Sequence, residues 1–347
     1  MQGMVVTSHS LSALIDALPL PVIVIGSDNR VVAANPPIDA VLGPDLRGRH
    51  YITALRQPAL LDSVVAAQAE GTPQVTRFVG RDGASDTHYR VVLSPADGNI
   101  VLTFEDQTAA EEVGQMRRDF VANVSHELRT PLTALLGFIE TLGGAARNDA
   151  AARDRFLAIM EHEASRMTRL VDDLLSLSRV EEDERVRPRE HVDMAALLSS
   201  VIKGLEPQLE AASVKVLLQS DGDGEMVPGD AGQLVQVFTN LIENGIKYGA
   251  AGGVVSVTLH PKAFHQRLRG EGVQIVVADK GEGIPSHHIA RLTERFYRVD
   301  SHRSREVGGT GLGLAIVKHI VNRHRGRLVI ESEEGQGTSV SVFLPSR

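Results

Sequence analysis

Phe120-Val-Ala-Asn-Val-Ser-His-Glu-Leu-Arg-Thr-Pro-Leu-Thr133 decides how the chain is read. Wound as a helix, it sets Phe120, Val124 and Leu128 in one apolar stripe at four-residue steps. His126 falls on a different face, open to a second molecule. Glu127 follows at once, a carboxylate able to accept the Nδ1 proton of the imidazole and leave the Nε2 lone pair as a nucleophile. Thr130 lies one turn further along the face of His126. Pro131 removes a backbone donor and predicts a bend just past this turn. A lone exposed histidine is most often only solvated. His-Glu also opens the His-Glu-x-x-His zinc motif, but Thr130 stands where the second ligand belongs, so the metal reading fails.

The stripe continues through Leu135, Ile139 and Leu142 until Gly143-Gly144 interrupts it. A second helical run carries Phe156, Ile159, Met160, Met167, Leu170, Leu174 and Leu177. Two such helices form an αα-hairpin over residues 109–184. A hairpin alone leaves part of its stripe uncovered, so a four-helix bundle from two chains is the expected completion, a homodimer. Glu181-Glu-Asp-Glu-Arg185 and Pro188 mark a linker on its C-terminal side.

The chain has 347 residues, 42% of them hydrophobic and 23% charged, enough for two or three domains with real cores. The net charge of −8 supplies no basic field for a polyanion, so no nucleic-acid partner is expected. With no cysteine, disulfides, thiol redox sensing and cysteine-ligated metal centres are excluded. No apolar run reaches the ~20 residues that cross a bilayer. No secretory leader is evident, and a cytoplasmic location without a transmembrane segment is the expectation.

Residues 190–347 alternate helical stretches with strand-like runs: Val254–Leu259, Val273–Ala278, Arg327–Glu331 and Ser339–Leu344. Gln236 to Tyr248 reads as one helix, with Asn240, Asn244 and Lys247–Tyr248 one turn apart along a single face. Amide oxygens are hard ligands suited to Mg²⁺, and Lys247 offers a point charge to phosphate. A merely solvated polar face would look the same. Three glycine-rich stretches follow, Asp279–Ile284, Gly308–Leu314 and Glu334–Thr338. Each alone could serve an ordinary turn. The middle one leads into a helix, Leu312–Lys318, whose first amides could hold phosphate. It lacks the Gly-Lys-Ser/Thr of a P-loop, and no strand before it supports a dinucleotide-binding unit.

Ser125-His-Glu-Leu-Arg-Thr-Pro-Leu132 closely resembles the phosphoacceptor box of histidine kinases. The resemblance implies that His126 is the phosphoacceptor and Glu127 its acid/base partner. It also implies that Thr130 positions water for phosphatase action on a phosphorylated regulator. In order and spacing, the C-terminal motifs resemble the Bergerat-type ATP-binding domain of histidine kinases, type II topoisomerases and Hsp90-like chaperones. That resemblance implies that Asp279 contacts the adenine amino group and that Asn244, helped by Asn240, holds Mg²⁺. It implies further that Gly281, Gly283, Gly309, Gly311 and Gly313 shape pocket and lid, with Lys247, Tyr248, Thr310, Leu312 and Thr338 as further nucleotide contacts. Glu294–Asp300 looks like the kinase-specific box before the lid, with Arg298 a candidate phosphate ligand. Phe296 either packs the lid or is an ordinary core aromatic. Gly245 stands where alanine is usual, a substitution worth about 1 kcal/mol in mid-helix. Neither Gly245 nor Lys280 removes a group the chemistry requires.

Residues 8–108 read as a small α+β domain. The run Val22–Ile25, the turn Ser27-Asp-Asn29 and Val31-Val32 form a hairpin. Gln74–Phe78, a turn at Arg81-Asp-Gly83, His88–Leu93 and Ile100–Phe104 supply further strands. Leu18 through Asn35 resembles a PAS sensor domain. His50, His88 and Tyr89 could touch an unknown ligand or haem, although such residues are more often structural.

The expected architecture is therefore a PAS-like domain, an all-α hairpin forming a dimeric bundle, and an α/β sandwich of the Bergerat type over 190–347. The expected function is a two-component sensor histidine kinase: ATP phosphorylates His126, and the phosphoryl group passes to an aspartate of a response-regulator receiver domain. The domain order is most similar to phosphate-regulon sensor kinases, though without their membrane anchor. The alternatives are a phosphatase-dominant protein or ATP-binding scaffold, and a ligand-binding PAS protein whose kinase half is secondary.

Overall fold

Val22–Ile25 (β1) is β-branched throughout and buried at every position, as a central strand requires. It pairs antiparallel with Val31–Ala34 (β2) and with Asn99–Asp106 (β5). Gln74–Asp82 (β3) and Ser85–Ala96 (β4) complete a five-stranded sheet in the order β2-β1-β5-β4-β3. The helices Pro36–Leu42 (α1), Tyr51–Leu55 (α2) and Pro58–Glu70 (α3) lie between β2 and β3, and two of them begin on proline, which is tolerated in a first turn. Ile38, Leu55, Leu60, Val64, Phe78, Leu93, Leu102 and Phe104 belong to one core. The β3–β4 turn is tighter than the expected Arg81–Gly83: Arg81 pairs with Asp86, and Gly83, at φ 59°, begins the reversal.

This computed structural model describes residues 13–83, 85–183, 186–220, 225–249, 252–299 and 309–346. The expected domain start at residue 8, linker residues 184–185, and Asp300 and Gly308 of the quoted motifs lie outside the described residues. The chain divides into two compact units, Met1–Ala122 and Asn123–Arg347.

The division falls within Thr108–Gly143 (α4), a helix of 36 residues that holds Pro131 in its interior. Ala150–Asp183 (α5) is its partner in an α-helical hairpin, and Phe138 stacks on Phe156 at 5.3 Å across the pair. After the ribbon of His191–Asp193 (β6) and Met226–Pro228 (β8) comes a mixed sheet. It is built from Lys215–Ser220 (β7), Val254–His265 (β9), Gly270–Asp279 (β10), Arg327–Glu333 (β11) and Gly337–Pro345 (β12), in the order β11-β12-β10-β9-β7. Only β7 and β9 run parallel. Met194–Gly204 (α6), Glu206–Ala212 (α7), Ala231–Gly249 (α8), the short Ser286–Ile289 (α9) and Gly313–Arg323 (α10) complete the region. α6, α8 and α10 pack on the sheet, and α10 also packs on α5. Phe238, Leu241, Ile242, Ile275, Ile316 and Val342 fill this second core. The alternating burial along β9 explains the layer: one face points to the helices and the other to solvent.

Candidate nucleotide and phosphoacceptor sites

His126 lies on the exposed side of α4, as its offset from the half-buried Val124 and Leu128 predicts. The Thr130 hydroxyl donates to the His126 carbonyl at 3.2 Å, one turn back along the helix. Glu127 is turned across the hairpin. Arg166 of α5 donates through Nη2 to Glu127 Oε2 at 2.8 Å, and Arg298 Nη1 stands 3.9 Å from the same oxygen. Both arginine side chains are nearly buried, at 10% and 9% exposure. The Glu127 carboxylate thus meets arginines rather than the imidazole, because successive residues of a helix do not face one another.

Asp279 ends β10 and anchors a second group. Its carboxylate accepts the Gly281 amide at 2.8 Å and also the Thr338 amide. Burial pushes this carboxyl above the ordinary aspartate range, and the two amide bonds pull the other way. The backbone comes so close here that a methyl on Gly281 would strike the Tyr248 carbonyl, and one on Gly249 would strike Asp279 itself. Gly283 faces the Glu333 carbonyl, and the Thr338 hydroxyl bonds Ser332 at 2.8 Å. Asp279, Gly281, Gly283, Tyr248 and Thr338 therefore converge on one end of β10.

Along α8, Asn240, Asn244 and Lys247 follow one another by turns. Asn240 Nδ2 is buried without a partner among the described residues. Gly313, the first residue of α10, faces Asn240, and a Cβ there would stand 3.3 Å from Oδ1. Lys247 is paired with Glu243 at 3.1 Å, and Asn244 is half-buried between them. An unsatisfied amide beside the first turn of a helix, with a lysine two turns away, is a donor set that fits a metal-bound polyphosphate.

The loop before α10 looks elsewhere. Thr310 donates its hydroxyl to Asp173 Oδ2 on α5, at 2.7 Å. The Gly311 carbonyl accepts the Phe296 amide at 2.8 Å, and Leu312 is wholly buried. Gly309 begins this described stretch, half-buried. Arg298 likewise points to the hairpin and not to Asp279. Ser176 bonds Gln236 at 2.9 Å, and Glu181 pairs with Arg295 and approaches His319 at 3.6 Å, so α5 is docked against α8 and α10.

Sequence reasoning missed Arg166, Asp173 and Gly249. For Asp173 a signal existed: it lies three residues after Leu170 and four before Leu177, an acid placed in the apolar stripe. Burial pushes its carboxyl upward, with the Thr310 bond and the Lys247 charge opposing.

Residues 116–183 match the His Kinase A (phospho-acceptor) domain, and residues 229–347 match the histidine kinase-, DNA gyrase B- and HSP90-like ATPase. The sensor protein kinase WalK of Staphylococcus saprophyticus is 38% identical over 245 residues, covering 71% of this chain and 39% of that protein. The sensor histidine kinase WalK of Bacillus subtilis is 39% identical over 249 residues, covering 72% and 40%. The chain spans about two fifths of the length of these relatives. The solved structure of histidine kinase ThkA in complex with response regulator protein TrrA aligns over 96% of this chain and 98% of ThkA, with a TM-score of 0.52 and 20% identity, a likeness of fold. No helix among the described residues is long and apolar enough to cross a membrane.

Proposed function

We propose, from the premise that this chain belongs to the two-component sensor histidine kinases, that it transfers the γ-phosphoryl group of ATP to His126 and then to an aspartate of a response regulator. One observation carries the reading: a single chain holds both an exposed histidine on a phosphoacceptor-type hairpin and a half-buried carboxylate walled by glycines in an ATPase-type sandwich.

In this mechanism the Asp279 carboxylate accepts from the adenine amino group while the glycine walls let the flat base approach. Lys247 places a positive charge by the phosphates, and the first turn of α10 offers backbone amides. Asn240 and Asn244 would hold Mg²⁺, which neutralises phosphate charge. His126 Nε2 attacks the γ-phosphorus in line, the bond to the bridging oxygen breaks, and ADP leaves with that electron pair. Glu127 takes the Nδ1 proton. The phosphoramidate retains the potential to phosphorylate a carboxylate. Thr130, one turn along, serves water attack on the phosphorylated regulator.

The segments 8–108, 109–184 and 190–347 are taken as input, phosphoacceptor and catalytic domains. The sheet order β2-β1-β5-β4-β3, with three helices between β2 and β3, supports reading the first as PAS-like, with an unknown ligand or none. Leu132, Leu136, Ile139 and Leu157 are about half exposed on the hairpin, which supports a homodimer burying them. A cytoplasmic site of action is part of the proposal and rests on the need for ATP.

A phosphatase-dominant balance is favoured by one arrangement, the hold of Asp173 on Thr310 in the loop before α10. Incubation with γ-labelled ATP and Mg²⁺ tests the kinase. Acid-labile, base-stable label is expected on the wild type and none on His126→Gln. Equal labelling of the two proteins sinks the reading.

A further inference from the structure

We propose that Arg166 is a positioning residue for phosphoryl transfer: it fixes Glu127 by one carboxylate oxygen so that the other is left for His126. The inference rests on the reading of His126 as phosphoacceptor and concerns a residue of the second hairpin helix, 40 positions downstream of it.

The geometry supplies the argument. Glu127 follows His126 on the helix, so the two side chains diverge by about 100° and do not meet by default. A flexible glutamate there would sample solvent-facing rotamers, and a carboxylate off its mark by about 1 Å loses about a hundredfold in rate. Arg166 removes that freedom. Its Nη2 donates to Oε2 at 2.8 Å, a charge-assisted bond, while its Nη1 stands 3.5 Å from Glu163 one turn away on α5. The guanidinium is thereby braced on its own helix before it reaches across. Arg298 approaches the same Oε2, at 3.9 Å. No protein group among the described residues takes Oε1. The pair is also sheltered: Glu127, Pro131, Arg166, Met167, Leu170 and Thr310 line one small hollow, so water competes weakly for the bond. An ordinary surface ion pair would bring neither the burial nor the shared oxygen.

Arg166 therefore acts through Glu127 and not on ATP, and the two roles separate in kinetics. In the full chain, Arg166→Met is expected to lower the maximal rate of His126 labelling by about 10- to 100-fold. The KM for ATP stays within about twofold, because Arg166 contacts Glu127 and Glu163 and not the groups gathered around Asp279. Arg166→Lys keeps the charge but loses the planar fork, and is expected to recover part of the rate. The inference is overturned if Arg166→Met labels at the wild-type rate, if rate and KM fall together, or if Arg166→Lys is no faster than Arg166→Met. Should Arg166→Met fail to fold, Arg166→Lys decides: an intermediate rate at unchanged KM upholds the role, and a wild-type rate or a raised KM overturns it. Loss of label in His126→Gln beside a fully active Arg166→Met removes only this inference. Equal label in His126→Gln removes the phosphoacceptor reading beneath it.

Discussion

The Thr310 hydroxyl donates to Asp173 at 2.7 Å, joining the loop that leads into α10 to the second helix of the hairpin. Thr310 is also a proposed nucleotide contact, and Lys247, proposed for the phosphates, lies close enough to Asp173 to act on its charge. In the proposed function, hairpin and nucleotide therefore compete for the same two groups.

Removing the Asp173 carboxylate should release that competition. A hydrogen bond to a charged acceptor contributes about 1.5–3 kcal/mol, of which about 1 kcal/mol reaching the nucleotide equilibrium is about a fivefold change. Asp173→Ala is expected to bind a non-hydrolysable ATP analogue about fivefold more tightly by calorimetry. Unchanged or weaker binding would show that the contact does not oppose nucleotide.

Gly249 offers a test of the Asp279 pocket by sterics alone. A Cβ at this position would collide with the side chain of Asp279, at the end of a helix that cannot retreat from the sheet. Gly249→Ala is expected to displace the carboxylate and weaken nucleotide binding at least about tenfold. Titration with a fluorescent ATP analogue measures it, and wild-type affinity in the variant would place adenine recognition elsewhere.

His324 ties the end of α10 to the start of α8 and gives a pH signature. Its ring is fully buried, Nε2 accepts the Asp230 amide at 2.9 Å, and Nδ1 donates to the Ile320 carbonyl at 2.8 Å. Burial, the largest influence, holds its pKa below the ordinary value near 6.5. Above about pH 6.5 the ring is neutral in both folded and unfolded chains, and its contribution is complete. Below that the unfolded chain binds a proton that the folded one refuses, so stability falls until pH reaches the lowered folded pKa. Urea unfolding from pH 8 to 5.5 should show His324→Gln less stable at pH 8 but with a shallower decline. Parallel curves would contradict the assignment.

Asn35 knots the N-terminal unit. Its side chain accepts the Val22 amide at 2.8 Å and donates to the carbonyls of Ile15, Leu18 and Leu20, while being 1% exposed. Asn35→Ala leaves the buried Val22 amide and Ile15 carbonyl without this partner, at about 1–3 kcal/mol for each group left without water. A destabilisation of about 2–4 kcal/mol is expected in the unfolding of this unit, followed in the full chain by the near-ultraviolet signal of Tyr51 and Tyr89. A change below about 0.5 kcal/mol would mean that water replaces the amide.

By itself the sequence determined the elements and the two motif groups. The stripe of Phe120, Val124 and Leu128 is a property of 3.6-residue periodicity, and it set His126 on the outside without any knowledge of a partner. The β-branched run Val22–Ile25 and the alternation in Val254–Leu259 are equally local. Only the tertiary structure decided whom these residues touch. Glu127 adjoins His126 in sequence, yet its partners are Arg166, 39 residues on, and Arg298. Asp173 and Thr310 lie 137 residues apart, and no pattern in either neighbourhood announces the other. Periodicity and backbone sterics are written within a few residues, whereas a bond between two elements depends on how their surfaces pack, which the whole chain sets.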